Sequence, residues 1–552
     1  MKMKNKDLAD LIFPNIKKTI GDMDKEFPKR NISENEVVTR MAPSPTGYIH
    51  IGNFFPSIIS YVYAKATKGI FILRLEDTDQ KREIGEAYDI IMKTLDYFHI
   101  ESDEYEYKGK VVGDYGSYIQ SNRKYLYHIF VKHFIEIGRA YPCFCSAEDL
   151  DNMREQQKNN KVRPGYYGKF AKCRNIPIDE AYKRIQDGES FVVRFKSMGD
   201  FDKKIVFNDL VKGTLELSEN DQDIVIMKSD NLLPTYHFAH LVDDYLMKTT
   251  HIIRGDDYIS SVTLHIELFN TLGVEAPKYL HTPMLLKKVG NSVRKISKRY
   301  DPEASMTYYI EQGYPYLCVI DALMTIVNSN YESWREKNPD ASYIDFPFSA
   351  SKISSSGAYY TLDKLDNISK NYISKLSAKE VYSDLIVWAK EYDVEFYNLI
   401  EKHKDYTVEV LNIEREQAKP RKDFAKYSDV KNQIWYMYDE LFNVSDKDYE
   451  WQTINDKNEI SMILKSYIKC FDVQDTKEVW FNKIKLLCDE LGYASNMKEY
   501  KNNPDGYKGN VADISMVLRI GLTTKSMTPD LYEIMKLLGK DRIVSRFNDF
   551  II

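Results

Sequence analysis

The sequence predicts a mixed α/β fold in which an insertion divides a parallel sheet into two halves and a helical region follows. Three observations predict this architecture. Strand-like and helix-like apolar spacings alternate over residues 37–75 and again over residues 223–286. Residues 105–222 between them have shorter, mixed elements. Beyond about residue 305 the apolar spacing becomes almost wholly helical.

The first half of the predicted sheet begins after a polar extension. Residues 1–35 have the composition of short polar helices, and residues 37–41 form a short strand. A Pro/Gly-rich run follows, and apolar residues then recur at helical spacing from Ile51 to Ala66. Residues 70–75 form a second strand. Strand, helix and strand in this order predict a parallel pair with a right-handed crossover.

The second half repeats the alternation. We expect strands over residues 223–227, 251–254 and 282–286, and helices over residues 234–247 and 260–272. In the helical region, Val479, Ile484, Leu487 and Leu491 share one predicted helix face. Thr528-Pro529-Asp530 predicts a helix start with proline at the first helical position, and Gly539 predicts a stop.

Length and composition restrict the class of protein. At roughly 150 residues per domain, 552 residues indicate three to four domains. The 24 Gly and 18 Pro are too few for collagen-like, mucin-like or low-complexity chains. A net charge of −6 excludes a uniformly basic nucleic-acid coat but allows local basic patches. The N-terminus lacks a secretory pattern, and the longest apolar stretch, residues 316–327, is too short for a membrane span. We therefore expect a cytoplasmic protein with no membrane partner.

The turn after the first strand carries residues that suit a phosphate. Between a strand and a helix N-terminus, the segment from Arg40 to Asn53 directs backbone N–H groups and the positive helix end toward one place. His50 can form a hydrogen bond there, and Gly52, which has no Cβ, allows a base or ribose to approach the backbone. A lone His-x-Gly more often belongs to an ordinary turn with a solvated histidine, so this motif alone does not establish a phosphate site.

Two charged segments follow other predicted strands. From Lys287 to Arg299 there are six basic residues and no acid, and Gly290 with Asn291 predicts a loop. This is either a solvated charge run or a ligand-binding loop at the carboxyl end of the sheet. Residues 76–79 (Glu-Asp-Thr-Asp) end the second strand and could form a metal site, a cap or an anchor for an ammonium group.

Taken together, these segments resemble a known family. Residues 43–53 resemble the HIGH signature of class I aminoacyl-tRNA synthetases, and Lys295-Ile296-Ser297-Lys298-Arg299 resembles their KMSKS loop. Residues 74–79, 234–237 and 301–304 are similar to bacterial-type glutamyl-tRNA synthetases. The similarity runs in unbroken motif order from about residue 37 to 310 and continues more weakly in the helical tail.

The resemblance implies a split Rossmann-type catalytic domain, an α+β insertion that binds the acceptor stem, and an all-α anticodon-binding region. The implied domains are an N-terminal extension (1–35), the first catalytic half (36–105), the insertion (106–222), the second catalytic half (223–300), a stem-contact region (301–370) and the helical anticodon-binding region (371–552).

The resemblance also implies the site residues. It makes His50, Lys295 and Lys298 catalytic. The implied ATP-binding residues are His50, Gly52, Asn53, Lys295, Ser297 and Lys298. The implied glutamate-binding residues are Arg40, Ala42, Ser44, Glu76, Tyr236 and Arg254. Chemically, Glu76 suits a substrate ammonium and an arginine fork suits a carboxylate. His240 and Tyr258 depart from the family's usual Asn and Trp, at the expected rim of this pocket.

The implied reaction is ATP-dependent formation of glutamyl-adenylate, followed by transfer to the 3′-terminal adenosine of tRNA(Glu). The attacking carboxylate is already ionised at neutral pH, so positioning and charge neutralisation suffice. Mg²⁺ is expected on the triphosphate. The alternatives are a glutaminyl-tRNA synthetase, which two arginines disfavour, and an inactive tRNA-binding paralogue, which the retained motif residues disfavour. We expect a monomer whose tRNA binding uses local basic patches such as residues 287–299.

Cysteine and histidine complete the sequence-based expectations. Cys143, Cys145 and Cys173 resemble the zinc knuckle of some relatives, but zinc takes four ligands and Asn175 stands where a fourth is expected. We therefore expect reduced structural cysteines and no metal site. His99, His128, His265 and His403 lie in ordinary helical contexts, so we expect them in packing or on the surface.

Overall fold

The computed structural model describes residues 3–45, 47–79, 86–442 and 449–552. It consists of two compact units. The first contains Met1–Ile310 and Val319–Thr361, and the second contains Glu311–Cys318 and Leu362–Ile552. Among the described residues, no helix has both the length and the apolar composition that a bilayer crossing requires.

The strands all belong to the first unit. They are β1 Val38–Met41, β2 Ile70–Leu73, β3 Tyr105–Tyr107, β4 Lys110–Val112, β5 Ala140–Cys143, β6 Val192–Phe195, β7 Lys204–Asp209, β8 Gly213–Ser218, β9 Val225–Met227, β10 His251–Gly255, β11 Lys278–Thr282, β12 Leu285–Val289, β13 Ser292–Lys295 and β14 Ala358–Tyr359.

The α-helices up to residue 337 are α1 Asn5–Ile12, α2 Ile20–Glu26, α3 Ile51–Ala66, α4 Ala87–Tyr97, α5 Lys124–Glu136, α6 Ala147–Asn159, α7 Ile178–Gln186, α8 Tyr236–Leu246, α9 Val262–Leu272, α10 Met306–Gln312, α11 Tyr316–Val327 and α12 Tyr331–Lys337. Short 3₁₀ helices include Gln120–Arg123, Lys172–Asn175, Asp256–Ser261 and Pro302–Ala304.

The predicted parallel sheet is confirmed. β1 pairs in parallel with β2, and β10 pairs in parallel with β11. Thr250, which precedes β10, donates its N–H to the Val38 carbonyl (3.0 Å) and so places β10 beside β1. All four residues of β1 are buried, as is usual for a parallel strand covered on both faces. Because the chain order reverses between β1 and β10, their carboxyl ends open the crevice in which such sheets bind ligands.

Two predictions about strands were wrong, one in the pairing partner of the strand and one in its length. The strand expected over residues 223–227 is β9, which pairs antiparallel with β6 of the insertion rather than with the parallel sheet. Its apolar pattern could not specify a partner, because short buried strands of both sheet types have the same pattern. The strand expected over residues 282–286 is two strands, β11 and β12, separated at Pro283, which lacks the N–H needed to continue a ladder.

The N-terminal extension packs into the first unit. The ammonium of Lys132, on α5, donates to the Ile16 carbonyl (2.8 Å) and pairs with Asp10 (2.6 Å). The Arg30 guanidinium binds both carboxylate oxygens of Glu104 (2.6 and 2.8 Å) and donates from Nε to the Met247 carbonyl (2.9 Å). These contacts join the extension to α5, to the segment before β3 and to the end of α8.

The remaining helices belong to the second unit and confirm the predicted helical region. They are α13 Leu362–Ile373, α14 Ala378–Tyr392, α15 Val394–Lys402, α16 Lys404–Asn412, α17 Tyr427–Ile434, α18 Lys457–Cys470, α19 Lys477–Leu491, α20 Met497–Asn502, α21 Val511–Thr523 and α22 Leu531–Asn548.

Local details of these helices differ from the predictions. Ile484 and Leu487 are buried as expected, but Val479 is exposed and its neighbour Trp480 is buried instead. The last helix begins one residue after Asp530, whose side chain accepts the Glu533 N–H (3.2 Å), so Asp530 is the N-cap and Pro529 precedes the helix. Gly539 has a non-helical backbone (φ 75°) and divides α22 into two helical segments, so the predicted stop is confirmed.

The Arg30–Glu104 pair gives a stability prediction. The two side chains are only 5% and 10% exposed, so Arg30→Ala would leave a buried carboxylate without its charged partner. We expect the free energy of local opening around β1 and β2 to fall by about 3 kcal/mol, the lower end for breaking a buried pair. Amide hydrogen exchange followed by mass spectrometry of peptides from these strands measures this directly.

Lys18→Ala is the matched control, because the Lys18–Glu26 pair of the same extension is largely exposed to solvent. It should leave exchange in β1 and β2 unchanged. Equal exchange in the two variants would show that Arg30 does not hold the extension in place.

Candidate active site

His50 is held as a neutral hydrogen-bond donor at the start of α3. Its Nδ1 accepts the Gly52 N–H (2.9 Å), so the ring proton lies on Nε2. A Cβ at residue 52 would lie 2.9 Å from Nδ1, too close for a real contact, which explains why glycine is needed there. Burial lowers the pKa of His50, and the nearby Lys298 and Lys295 lower it further. The imidazole is therefore uncharged near pH 7 and presents Nε2–H.

The two motif segments meet at the crevice. One cleft is lined by His50, Gly52 and Asn53 from the α3 end, and by Asp257 and Lys295 from the other half of the sheet. The Lys298 ammonium donates to the Tyr48 carbonyl (2.8 Å), beside His50. The Lys295 ammonium donates to Asp257 Oδ2 (3.1 Å). Both lysines thus lie beside the cleft, each held by an oxygen that a phosphate could replace.

The basic segment is a hairpin rather than the predicted loop. β12 and β13 pair antiparallel around Gly290, whose φ of 59° favours glycine in this tight turn. The Asp301 carboxylate accepts two hydrogen bonds from the Arg294 guanidinium (2.5 and 2.8 Å) and one from the Ser297 N–H (2.9 Å). These hydrogen bonds, Arg294 first, hold the pKa of Asp301 far below its usual range. Asp301 therefore fixes the base of the lysine-bearing turn.

The same contacts correct the expectation that residues 287–299 form a free basic patch. The Lys287 ammonium pairs with Asp301 (3.2 Å) and with Glu303, and Arg294 pairs with Asp301. The acids that neutralise them lie just beyond the segment, so a charge count inside it could not reveal them. Lys288 and Arg299 remain exposed.

On the other side of the crevice, buried charges surround Tyr236. Glu76 Oε1 accepts a hydrogen bond from Arg74 (3.0 Å), and both Arg74 (2.7 Å) and Arg40 (3.3 Å) donate to Asp244 Oδ1. Burial raises the pKa of Glu76, although Arg74 and Arg40 oppose this. Burial likewise raises the pKa of Tyr236 to about 12, against the effect of Arg254 and Arg40. Arg40, Glu76, Tyr236 and Arg254 therefore share one electrostatic environment.

Arg254 differs from the other buried arginines in its partners. Its Nε donates to His281 Nε2 (3.1 Å), its Nη1 to His265 Nδ1 (3.2 Å) and its Nη2 to the Tyr258 carbonyl (3.3 Å). Within the described residues no carboxylate pairs with it. Arg254 is only 5% exposed, so its charge is both buried and unneutralised by direct contact within the described residues.

The sequence analysis assigned no part in the crevice to His265 or His281, and it expected His240 at the pocket rim. His265, expected in packing or on the surface, is fully buried against Arg254, and His281 lies on its other side. His240, expected at the pocket rim, is also fully buried, with Nδ1 2.7 Å from Asp244 Oδ2. One signal was available: five of the ten histidines fall within residues 237–281. Tyr258 is partly exposed at the rim.

The remaining predicted site residues make fewer contacts. Ala42 is half-buried and Ser44 exposed, directly after β1. Asn53 is exposed in the first turn of α3, and its carbonyl accepts from Ser57 (2.8 Å). Ser297 lies in the turn after β13, where its N–H is used by Asp301.

The cysteine cluster is separate from this crevice. The sulfur atoms of Cys143, Cys145 and Cys173 lie within 4.8 Å of one another, a spacing that a metal ion could bridge. Across the described ranges, no further histidine, cysteine or carboxylate joins them. The Tyr166 hydroxyl contacts Cys143 (3.4 Å) and Cys145 (3.3 Å) and accepts the Cys173 N–H (3.0 Å). The donors are three thiols and a phenol, which does not complete the usual zinc set.

Comparison with known proteins agrees with this geometry. Residues 36–335 match the family model "tRNA synthetases class I (E and Q), catalytic domain", and residues 503–551 match "Anticodon binding domain". The chain is 45% identical to a glutamate–tRNA ligase of Acetivibrio thermocellus, covering 99% of both chains. It is 46% identical to a glutamate–tRNA ligase of Clostridium perfringens, covering 100% of both.

A solved structure shares the fold. The crystal structure of a glutamate tRNA ligase from Elizabethkingia meningosepticum superposes with a TM-score of 0.72 at 24% identity, over 93% of this chain and 99% of that one. The two chains therefore share the same fold. The chain belongs to the glutamate–tRNA ligase family of class I tRNA synthetases.

Proposed function

We propose that this chain activates L-glutamate with ATP and transfers the glutamyl group to the 3′-terminal adenosine of tRNA(Glu). The observation that carries the proposal is the charge pattern of the crevice. Arg40, Glu76 and the unneutralised Arg254 surround Tyr236 beside the cleft of His50 and Lys295. Two cations and one anion are the complement of glutamate, which has two carboxylates and one ammonium.

Glu76 is suited to bind the substrate ammonium. Its Oε1 is used by Arg74, whereas its other oxygen has no partner in the part of the chain that the structure describes. Since burial raises the pKa of Glu76, an arriving ammonium would favour the ionised form that binds it. Arg40 and Arg254 then remain for the two carboxylates.

The activation step needs no general base. An ionised α-carboxylate oxygen forms a bond to the α-phosphorus of ATP while the bond to pyrophosphate breaks, and the electron pair leaves with the pyrophosphate. His50 Nε2–H, Lys295 and Lys298 would neutralise the developing charge. To do so, the lysines would exchange Asp257 and the Tyr48 carbonyl for phosphate oxygens. Mg²⁺ would arrive with ATP as part of the substrate.

The remaining parts of the proposal concern tRNA and assembly. The implied domain boundaries assign acceptor-stem binding to residues 106–222, stem contacts to residues 301–370 and anticodon binding to residues 371–552. The match of residues 503–551 to an anticodon-binding family supports the last of these. We propose a monomer that acts in the cytoplasm, where tRNA is charged.

The catalytic loop is tested by Lys298→Ala. Activation, measured by glutamate-dependent pyrophosphate exchange in the presence of tRNA, should fall about 10²- to 10³-fold, the scale for removing one group that stabilises transition-state charge. The Kd for tRNA should change little. Lys278→Ala is the control, because it also removes one lysine charge. Lys278 begins β11, at the end of the strand away from the crevice, so this variant should keep parental activity. Equal activity of both variants would remove Lys298 from the mechanism.

Amino-acid recognition is tested by Arg254→Gln. The KM for glutamate should rise much more than the KM for ATP, because a substrate carboxylate would lose its charged partner. Arg139→Gln is the control, since Arg139 pairs with Glu267 and contacts none of the crevice residues. Equal increases in both KM values of Arg254→Gln would place Arg254 outside the amino-acid pocket. Exchange with glutamine but not glutamate would favour the glutaminyl alternative.

The role of tRNA is tested by pyrophosphate exchange with and without tRNA(Glu). We expect exchange to require tRNA, because the family resemblance implies that a bound tRNA completes the pocket. Exchange should also weaken steeply as salt rises, despite the net charge of −6, because distant charges are screened within about 10 Å and local basic side chains dominate. Strong exchange without tRNA, or exchange unaffected by salt, would contradict this mechanism. No exchange under any condition would favour an inactive paralogue.

A further inference from the structure

The hydrogen bonds of Arg254 determine the protonation of its neighbours. A guanidinium has donors only, so each ring nitrogen that it contacts must be unprotonated. His281 Nε2 and His265 Nδ1 are therefore acceptors. The remaining protons then lie on His281 Nδ1, which donates to Asp209 Oδ2 (2.6 Å), and on His265 Nε2, which donates to His237 Nδ1 (2.9 Å). Each ring is neutral and has one defined tautomer.

Asp209 fixes this arrangement from the insertion. It ends β7, is 2% exposed, and accepts the N–H groups of Val211 (2.9 Å) and Lys212 (2.8 Å) as well as the His281 ring. Burial opposes its ionisation, but hydrogen bonds from His281 and the two backbone groups outweigh this and lower the pKa of Asp209. A buried, ionised and immobile carboxylate thus holds the His281 proton on Nδ1.

Counting the hydrogen bonds of Arg254 shows that two of its N–H donors remain unused in the described residues. Of the five N–H groups of a guanidinium, three are used by His281, His265 and the Tyr258 carbonyl. One N–H on Nη1 and one on Nη2 remain, and in the described chain neither has a partner. A guanidinium that keeps one donor on each terminal nitrogen can bind both oxygens of a carboxylate.

We propose that Asp209, His281 and His265 are positioning residues that act through Arg254, orienting its free N–H pair toward a substrate carboxylate without neutralising its charge. The proposal rests on the proposed glutamate site. A carboxylate in place of either imidazole would hold the arginine equally well but would compete with the substrate for it. Arg74 illustrates that alternative, since it contacts both Asp244 and Glu76 and is left as a structural cation.

The test compares His281→Leu with His281→Gln in pyrophosphate exchange with tRNA. His281→Leu removes the acceptor of Arg254 Nε, so the KM for glutamate should rise about tenfold to 100-fold, the range for one lost hydrogen bond to a charged group. The KM for ATP should stay near the parental value. His281→Gln keeps an acceptor oxygen at a similar distance and should restore most of the loss. A purely structural role would raise both KM values and give no rescue.

Two further variants keep the test decisive. Asp209→Asn changes no volume but allows the other His281 tautomer, whose Nε2–H would oppose Arg254 Nε–H, so the KM for glutamate should again rise. If His281 acts through Arg254, the double variant Arg254→Gln/His281→Leu should be no worse for glutamate than Arg254→Gln alone.

The outcomes separate this inference from the proposed function. A wild-type protein without glutamate-dependent exchange would overturn the proposed function itself. Two results would overturn only the positioning role, provided that the wild-type protein shows normal exchange. One is an unchanged glutamate KM in both His281→Leu and Asp209→Asn, and the other is additive losses in the double variant. Should His281→Leu fail to fold, Asp209→Asn and His281→Gln still decide, because both preserve side-chain volume and polarity.

Discussion

The neighbouring carboxylates Asp243 and Asp244 of α8 are the interaction on which the crevice depends. Asp244 accepts from Arg74 and Arg40, and Asp243 accepts from Arg123 (2.7 Å), Gln120 (2.8 Å) and Tyr127 (2.8 Å). All three arginines are almost fully buried, where an unpaired charge would cost several kcal/mol. Burial opposes ionisation of Asp244, but Arg74, Arg40 and His240 outweigh it and hold its pKa well below the usual range. One helix thereby fixes the ends of two parallel strands and the 3₁₀ turn Gln120–Arg123.

Arg254 has hydrogen-bond partners of a different kind from those of Arg40 and Arg74. Where α8 supplies carboxylates to Arg40 and Arg74, the neighbours of Arg254 supply imidazole nitrogens and a carbonyl. The first arrangement gives each arginine a direct counter-ion, and the second leaves Arg254 without one in the described residues. The segment from Lys287 to Arg299 shows the same division, because Asp301 and Glu303 hold Lys287 and Arg294 at its base while Lys295 and Lys298 lie beside the cleft. Arg74, Lys287 and Arg294 are thus held by buried acids, whereas Arg254, Lys295 and Lys298 have no buried acid as a partner in the described residues. Arg40 is intermediate, because it contacts Asp244 through Nε (3.3 Å).

Much of the fold was predictable because it depends on local patterns. The β1–α3–β2 unit and the helices α8 and α9 follow directly from apolar spacing and from the breaker run after β1. The errors occurred where a pattern does not identify its partner. β9 pairs with the insertion rather than the parallel sheet, and the segment from Lys287 to Arg299 folds as a hairpin whose basic side chains are paired with acids beyond it. Strand pairing and ion pairing depend on residues that are close in space but distant in the sequence, so the pattern of one segment cannot predict them.

The sequence by itself determined the family, the parallel architecture and the residue types at the crevice, because motifs such as His50-Ile51-Gly52 and Lys295-Ile296-Ser297-Lys298 are contiguous. Only the tertiary structure decided which of those charged residues have a direct counter-ion. Arg40 and Arg254 are chemically identical in the sequence, yet one contacts a carboxylate and the other two histidines. Asp209, His265 and His281 come from the insertion, a helix and a strand, and they converge on Arg254 only after folding. The reason is physical: a charge in low dielectric is governed by groups within a few ångströms, and these groups are distant along the chain.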